Sequence, residues 1–486
     1  MITEERETPY LYEQITDKIT RLIEGGTLLP GDKVPSLRRL SGQERVSIST
    51  VMQAYYELES RGLIEARPQS GFYVRLEPRS LPLEPEISHP PTGACCVGVA
   101  DLVDEVFSVP FDPEIVALGA AIPSPEFFPN RKLNRLLSSI ARRDPAAANS
   151  YDLVPGIPEL RQEIARRSIY WGGTLTSRDI VITSGCTEAL NLCLRSVTCP
   201  GDIVAVESPT YYALLGILEL LDLKALEIPT CPRTGINLQA LEKAIATNKV
   251  GACVVMPNAH NPLGSCMPDD KKKSLVDLVT AQQIPLIEDD IFGELCFQSD
   301  RPKPLKAFDR DGWVLQCSSF TKTLTLGHRI GWTVPGRFRP TVSRMKQMST
   351  GGNTVLSQMM VAEFLKHGGY DLHLRKIRRT YLALIQRVTQ AVSRYFPENT
   401  KVTRPKGGHV IWVELPPQVD ALELNRKALG EKISIVPGPV FSPTKKYGHF
   451  IRLNAAIVWS DRIERSLMVL GRLAGELGQS HPGTTH

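Results

Sequence analysis

The feature that most constrains the fold is a long alternation of short apolar runs and amphipathic helical stretches through most of the chain. Parallel strands joined by helices are buried on both faces, so they read as continuous apolar runs. The alternation therefore predicts an α/β domain built on a mainly parallel sheet. The runs with the composition of buried strands are 180–183, 203–206, 253–256, 285–288 and 314–317.

A proline-rich stretch divides the chain into two units. Its prolines are Pro78, Pro82, Pro85, Pro90 and Pro91. Proline fixes φ and removes a backbone donor, so residues 77–96 are predicted to form an extended, semi-rigid linker. The linker separates a small unit, residues 1–76, from a large unit, residues 97–480. A chain of 486 residues is also too long for a single hydrophobic core.

The small unit has the element order of a winged helix. Glycine ends helices, serine caps them, and a turn between two β-type runs predicts a hairpin. The predicted elements are a helix over 11–23 ended by Gly25, a helix opened by Pro35-Ser36, a helix capped by Ser47 and ended by Gly62, and β-type runs at 63–67 and 72–74.

A winged helix can place the polar first turn of its third helix in the major groove of DNA. Arginines on the preceding helix and near the wing tip can hold phosphates. The alternative is a protein-interaction module with solvated arginines. Charge does not decide between them, because residues 1–75 hold ten basic and eleven acidic side chains. The predicted DNA-binding residues are Arg38, Arg39, Ser47, Ser49, Thr50, Gln53 and Arg67.

Three runs of the small unit resemble the winged-helix domain of the GntR family. They are GDKVPSLRRL, SISTVMQAYYELESRGLI and RPQSGFYV, and they cover nearly all of the unit at the expected spacings. The resemblance implies double-stranded operator DNA as a partner. One departure is SGQER at 41–45, where the family commonly has a more helical sequence. Glycine in a helix costs about 1 kcal/mol relative to alanine, so Gly42 leaves the end of the second helix open.

The large unit carries polar motifs at the ends of its predicted strands. Ser184-Gly185-Cys186 opens a helix after a strand, and free N–H groups at a helix start suit a phosphate. Lys322 follows a strand and two serines, with Arg329 seven residues later, which suits a Schiff-base lysine beside a phosphate clamp. Tyr211 can stack on a planar ligand, although core packing explains it equally well.

Asn261 and Asp289 complete this series. Asn261 stands at a strand end, where an ordinary Asn-Pro turn is the alternative, and Asp289 ends an apolar strand among two other carboxylates. Each motif alone is common. Five in this order at strand ends, where α/β proteins bind ligands, indicate one site.

The order of these motifs resembles the fold-type I aminotransferases that use pyridoxal phosphate. The resemblance runs from about residue 127 to 454. It implies a Schiff base between Lys322 and the cofactor, Asp289 on the pyridine nitrogen and Asn261 on the ring oxygen. It also implies Tyr211 stacked on the ring and Arg452 on the carboxylate of an amino-acid ligand. The implied phosphate-binding residues are Gly185, Cys186, Ser319 and Arg329.

Two positions depart from that family. Many of these enzymes have a tyrosine three residues after the cofactor aspartate, and Phe292 stands there. Losing that donor to the ring oxygen is expected to weaken catalysis while leaving cofactor binding intact. Cys186 replaces a common glycine or alanine, which a backbone N–H contact tolerates.

A GntR-type winged helix linked to an aminotransferase-like domain resembles the MocR subfamily of bacterial regulators. The resemblance implies a homodimer that senses pyridoxal phosphate, or an amino compound bound on it, and changes its DNA affinity. The first alternative is a working aminotransferase with an accessory DNA-binding unit. The second is a scaffold without cofactor, which Lys322 and Asp289 disfavour.

The remaining composition argues for a cytoplasmic protein without a metal or a membrane span. The charged start MITEERE is unlike a signal peptide, and the longest apolar stretch is interrupted by Glu219 and Asp222. The ten cysteines include no C-x-x-C pair, so reduced thiols are expected and a zinc site is not.

Overall fold

The computed structural model describes residues 10–25, 27–29, 31–67, 70–75, 82–107, 112, 114–298, 300–367 and 369–480. Its helices are α1 Leu11–Glu24, α2 Leu37–Glu44, α3 Ile48–Ser60, α4 Ala100–Phe107, α5 Asn130–Arg143, α6 Pro145–Ala148, α7 Pro158–Arg167, α8 Cys186–Val197, α9 Tyr212–Leu220, α10 Leu238–Thr247, α11 Asp269–Ala281, α12 Arg339–Ser349, α13 Val355–Lys366, α14 Gly369–Tyr395, α15 Ala421–Gly430 and α16 Asp461–Ser480. Its strands are β1 Ile64–Arg67, β2 Gly71–Val74, β3 Cys95–Cys96, β4 Val116–Ala117, β5 Val181–Thr183, β6 Ile203–Ser208, β7 Lys224–Cys231, β8 Gly235–Ile236, β9 Val250–Val255, β10 Leu286–Asp289, β11 Val314–Ser319, β12 Gly331–Val334, β13 Lys401–Val402, β14 Val410–Glu414, β15 Ile433–Ser434, β16 Val436–Pro437 and β17 Phe450–Asn454.

The small unit has three helices followed by the antiparallel hairpin β1–β2. The Ser36 and Ser47 hydroxyls accept bonds from the first-turn N–H groups of α2 and α3. Tyr55 is fully buried among apolar side chains, and its hydroxyl donates to the Pro35 carbonyl at 2.6 Å. Helix α2 continues through Gly42 and ends where Arg45 adopts a left-handed conformation, which resolves the end of that helix.

The described part of the linker lies along the large unit. Thr230 N donates to the Ser88 hydroxyl at 2.8 Å, and Val402 N donates to the Leu83 carbonyl at 2.8 Å. Glu84 forms an ion pair with Arg233. Residues 95–96, which the sequence assigns to the linker, form β3 and pair with β7. The sheet of the large unit therefore begins before residue 97, because backbone pairing extends into a stretch without a strand pattern.

A central sheet confirms the predicted α/β fold. Its middle strands run parallel in the order β7-β6-β9-β10-β11, and β12 and β5 extend one edge in antiparallel pairs. All five predicted runs overlap strands of this sheet, and each differs from its strand by a few residues at the ends. Strands β7 and β12 were not predicted, because β7 contains Pro229 and polar residues and β12 is short and begins at a glycine.

A second, four-stranded sheet has the order β13-β14-β17-β16 and packs with α14, α15 and α16. Helix α14 spans 27 residues, so it is about 40 Å long. No helix in the described ranges is long and apolar enough to cross a membrane.

Candidate cofactor and DNA-binding sites

A cleft of about 260 Å³ opens at the carboxyl ends of the parallel strands. Most of the side chains predicted to hold the cofactor line it, because the loops after β5, β6, β9, β10 and β11 meet at this edge. The predicted residues on its walls are Cys186, Tyr211, Asn261, Asp289, Lys322 and Arg329.

Lys322 lies three residues beyond β11, and its side chain is half-buried in the wall of the cleft. Its Nζ donates a hydrogen bond to the Ala121 carbonyl at 2.7 Å. Partial burial, together with the nearby charges of Arg452 and Arg329, lowers the pKa of Lys322 to about 8. A substantial fraction of this amine is therefore neutral near pH 8, the form that attacks an aldehyde.

Asp289 is the last residue of β10 and is also buried. Its Oδ1 accepts from Ile291 N at 3.1 Å and from the Cys186 thiol at 3.4 Å. Burial raises the pKa of Asp289 to about 6, against the opposing effect of those two hydrogen bonds. A cationic ring nitrogen in the cleft would stabilise the ionised carboxylate.

The turn between β5 and α8 lies directly beside the Arg329 guanidinium. Gly185 has φ +83°, and a Cβ there would lie 2.5 Å from Arg329 Nη2, so only glycine fits. Helix α8 begins at Cys186, and the first N–H groups of a helix have no partner inside it. Arg329 Nη2 donates to the Ser184 carbonyl at 3.3 Å, which holds the guanidinium beside this helix start.

Ser319 does not line the cleft, contrary to the sequence prediction. It is still paired in β11, and its hydroxyl donates to the Ile330 carbonyl at 2.9 Å and accepts from Thr321 N at 3.0 Å. Thr321 lines the cleft instead, with its hydroxyl 3.5 Å from Arg329 Nη1. Thr187, directly after Cys186, also lines the cleft and was missed, although its place in the first turn of α8 was a usable signal.

Arg452, on β17, is fully buried behind the cleft wall, next to Asn261. Its Nη1 donates to Asn261 Oδ1 at 3.1 Å, and its Nη2 donates to the Gly119 carbonyl at 2.8 Å. Its Nε has no partner within the described residues. A buried guanidinium N–H without an acceptor is costly. The described residues therefore leave one donor of this guanidinium without an acceptor.

Phe292 packs edge-on against His409, with ring centroids 5.2 Å apart. The Asn454 amide donates to the Ile122 carbonyl, so its Oδ1 is the acceptor for His409 Nδ1–H at 3.0 Å. Burial and the Lys322 charge lower the pKa of His409 to about 3, so this ring is neutral. The structure thus places an apolar ring where many related enzymes have a phenol.

The predicted DNA-binding residues lie on α2 and at the start of α3. Arg38, Arg39, Ser47 and Ser49 are exposed, while Thr50 and Gln53 are half-buried. The Ser47 hydroxyl lies 2.6 Å from Ser49 Oγ and 2.8 Å from Thr50 Oγ1.

Lys33 lies beside the wing and is a further candidate for DNA contact that the sequence pattern did not indicate. Lys33 pairs with Tyr73 of the wing through a β-bridge and is exposed, so it provides a further cation on that element. The side chain of Arg67 lies outside the described residues, so the structure does not place that predicted contact. Among the described residues, no cluster of His, Cys, Asp and Glu could hold a metal ion.

Two family models match the chain. The model for aminotransferase class I and II covers residues 128–470, and the model for bacterial regulatory proteins of the gntR family covers residues 11–74. The chain is 41% identical to the HTH-type transcriptional regulator YdcR of Escherichia coli, over 96% of this chain and 99% of that protein. It is 29% identical to the 2-aminoadipate transaminase of Thermus thermophilus, over 77% and 93% of the two chains.

A solved structure supports the same fold. The α-aminoadipate aminotransferase LysN of Thermus thermophilus, complexed with N-(5'-phosphopyridoxyl)-L-leucine, superposes with a TM-score of 0.72. It is 28% identical in sequence, and the match covers 77% of this chain and 94% of that one.

Proposed function

Because the chain belongs to the class I and II aminotransferase family and carries a gntR-type DNA-binding domain, we propose that it is a transcription regulator that senses a small molecule through pyridoxal phosphate. The cofactor or an amino compound bound on it is the effector, and double-stranded operator DNA is the partner. A regulator of bacterial transcription acts where the chromosome lies, so we place it in the cytoplasm.

The residues of the cleft fit pyridoxal phosphate group by group. The cofactor supplies an aldehyde, an electron-withdrawing pyridinium ring and a phosphate. Lys322 provides the amine for the aldehyde, and Asp289 provides the carboxylate for the ring nitrogen. The start of α8 and Arg329 provide donors for the phosphate. Tyr211 and Asn261 line the space between them.

Helix α14 is the observation that carries the sensing function, because it contacts the residue next to Lys322. The Tyr370 hydroxyl donates to Thr323 Oγ1 at 2.7 Å. His373 Nε2 lies 2.7 Å from the Thr323 carbonyl and must donate to it. Both bonds are buried, so a shift of the backbone at Lys322 and Thr323 acts directly on the beginning of α14.

The far part of the same helix holds the DNA-binding unit. Gln390 Nε2 donates to the Glu59 carbonyl at 2.9 Å, and Gln386 Nε2 donates to the Tyr56 carbonyl at 3.2 Å. Both acceptors lie in the last part of α3, the helix whose first turn is predicted to read DNA. From His373 to Gln390 the helix spans about 25 Å. One rigid element therefore joins the cofactor site to the DNA-reading helix.

DNA affinity is expected to change when pyridoxal phosphate is supplied to cofactor-free protein. A ligand shifts an equilibrium only through its differential affinity for two arrangements, and typical coupling is about 5- to 150-fold. A mobility shift on the DNA upstream of its own gene, with and without pyridoxal phosphate, measures this change. Equal affinity in both conditions, with the cofactor demonstrably bound, would rule the sensing function out.

Removing the two glutamine contacts is expected to uncouple the units. In the double variant Gln386→Ala and Gln390→Ala, the cofactor-dependent change in DNA affinity should fall to less than one third of the wild-type change. The cofactor absorbance should stay unchanged, because neither residue touches the cleft. Gln282→Ala, at an exposed position after α11, is the matched control. A response of wild-type size in the double variant would argue against α14 as the connecting element.

A homodimer is part of the proposal. Tyr151, Leu153 and Met348 are 77%, 66% and 76% exposed. Tyr151 Oη lies 2.7 Å from the position of a Cβ on Gly351, so Tyr151 adjoins the end of α12 that carries Met348. Exposed apolar patches of this kind mark interfaces. A second copy of the chain would cover this patch and present a second winged helix to a half-site. A monomeric mass in sedimentation would exclude this arrangement.

Amino-group transfer is a second candidate function, since the described cleft keeps both the amine of Lys322 and the carboxylate of Asp289. Phe292 lacks the hydroxyl that many related enzymes use, so we expect slow transfer at most. Steady turnover of one amino donor at physiological concentration would favour this candidate over sensing.

A further inference from the structure

In the proposed function, each charged group at the cleft binds one part of the cofactor or of the effector. Lys322 and Arg329 serve the aldehyde and the phosphate, Asp289 serves the ring nitrogen, and Arg452 behind the cleft serves a carboxylate. Among the described residues that line the cleft, no further charged side chain is present. The described lining of this chain therefore offers no counter-charge to a second carboxylate on an effector.

The wall beside Arg452 is apolar. Phe107 and Tyr212 line the cleft with their ring centroids 4.8 Å apart, and Ile122, 55% exposed, lines it as well. We call these three residues the apolar wall. The Arg452 guanidinium carbon lies 5.6 Å from the Tyr212 ring centroid and 5.1 Å from that of the buried Phe441. The carboxylate subsite and the apolar wall are therefore immediate neighbours.

Under the proposed function, an amino-acid effector would be held in this cleft at two points. Its amine must reach the cofactor beside Lys322, and its carboxylate must reach Arg452. The side chain then extends along the apolar wall. An aromatic or aliphatic side chain gains from leaving water there, whereas a charged one loses its hydration without an ion partner.

We propose that the effector is an amino acid with an uncharged aromatic or long aliphatic side chain, and that Phe107, Ile122 and Tyr212 select it. This inference rests on the proposed function, since it names the class of amino compound that the cofactor-loaded regulator takes.

Titration of the full-length, cofactor-loaded protein with four amino acids tests the proposal. The cofactor absorbance is followed with L-phenylalanine, L-leucine, L-glutamate and L-2-aminoadipate. The two apolar amino acids are expected to bind at least tenfold more tightly than the two dicarboxylates. DNA affinity measured at saturation should change with the apolar pair only.

Substitutions in the wall sharpen the test. Phe107→Arg adds a cation and is expected to shift the preference toward L-glutamate at least tenfold, while Phe107→Leu should keep the apolar preference. Leu102→Ala is the matched control, because Leu102 packs against the same cluster as Phe107 without lining the cleft. If Phe107→Arg fails to fold, the order of the four affinities in wild-type protein and in Phe107→Leu still tests the proposal.

Each outcome separates this inference from the function on which it rests. Equal or tighter binding of the dicarboxylates by protein with bound cofactor overturns the apolar selection alone. Bound cofactor whose absorbance responds to none of the four amino acids also overturns it and leaves pyridoxal phosphate as the effector. Failure of wild-type protein to hold the cofactor at all would instead remove the proposed function.

Discussion

Replacing Lys322 with alanine is expected to abolish covalent attachment of pyridoxal phosphate. Lys322 is the lysine of the cleft, and its amine is held in place by the Ala121 carbonyl. Alanine removes the nucleophile, so borohydride treatment should fix no cofactor on the variant. Mass spectrometry of the treated protein measures this as the loss of one pyridoxyl group. The cofactor-dependent change in DNA affinity should disappear with it.

The same lysine predicts how attachment depends on pH. The neutral amine reacts, and burial lowers the pKa of Lys322 to about 8. Attachment should therefore accelerate as pH rises toward 8 and level off above it. An unperturbed lysine, with a pKa near 10.4, would still be accelerating there. Stopped-flow absorbance after mixing apoprotein with the cofactor measures the profile.

Lys376→Ala supplies the control, since Lys376 is an exposed lysine on α14 and should leave attachment unchanged. A pyridoxyl group fixed in equal yield on the Lys322→Ala variant would contradict the assignment of the cofactor lysine.

Much of the cofactor site was predictable because the chain order of its motifs follows the strand order of an α/β sheet. Each of Asn261, Asp289 and Lys322 stands just after or at the end of an apolar run, and parallel strands bring those ends together. Ser319 shows the limit of this argument. Its hydroxyl turns to Ile330, on a chain segment that the sequence pattern did not recognise as paired, and Thr321 takes the cleft-facing position.

Contacts between distant segments were not predictable. Gln386 and Tyr56 are 330 residues apart in the chain, and a helical pattern reveals which face is apolar but not which partner it meets. The apolar wall is similar, since nothing in the sequence pattern connects Phe107 with Tyr212 until the fold brings their rings together. The winged helix was easier, because its contacts are local and its caps, such as Ser47, act within a few residues.

Replacing Arg452 with glutamine is expected to weaken amino-acid binding by about 100-fold or more while the cofactor stays attached. Losing one partner of a buried charge pair costs about 3–5 kcal/mol, and tenfold in affinity corresponds to about 1.4 kcal/mol. Arg452 is fully buried, and its Nε has no acceptor in the described part of the chain. A bound carboxylate would therefore gain both an ion pair with the guanidinium and a hydrogen bond from Nε. Titration of the cofactor absorbance with L-phenylalanine measures the loss.

The Arg452→Gln variant also separates binding from folding. Borohydride fixation on Lys322 should persist, because Arg452 contacts Asn261 and Gly119 rather than the lysine. Arg426→Gln, at an exposed position of α15, is the matched control. Arg452→Lys should recover only part of the affinity, since an ammonium group keeps the charge but cannot form the two parallel bonds of a guanidinium. Wild-type affinity in Arg452→Gln would mean that the effector carboxylate binds elsewhere. The reason for placing the effector side chain against the apolar wall would then be removed.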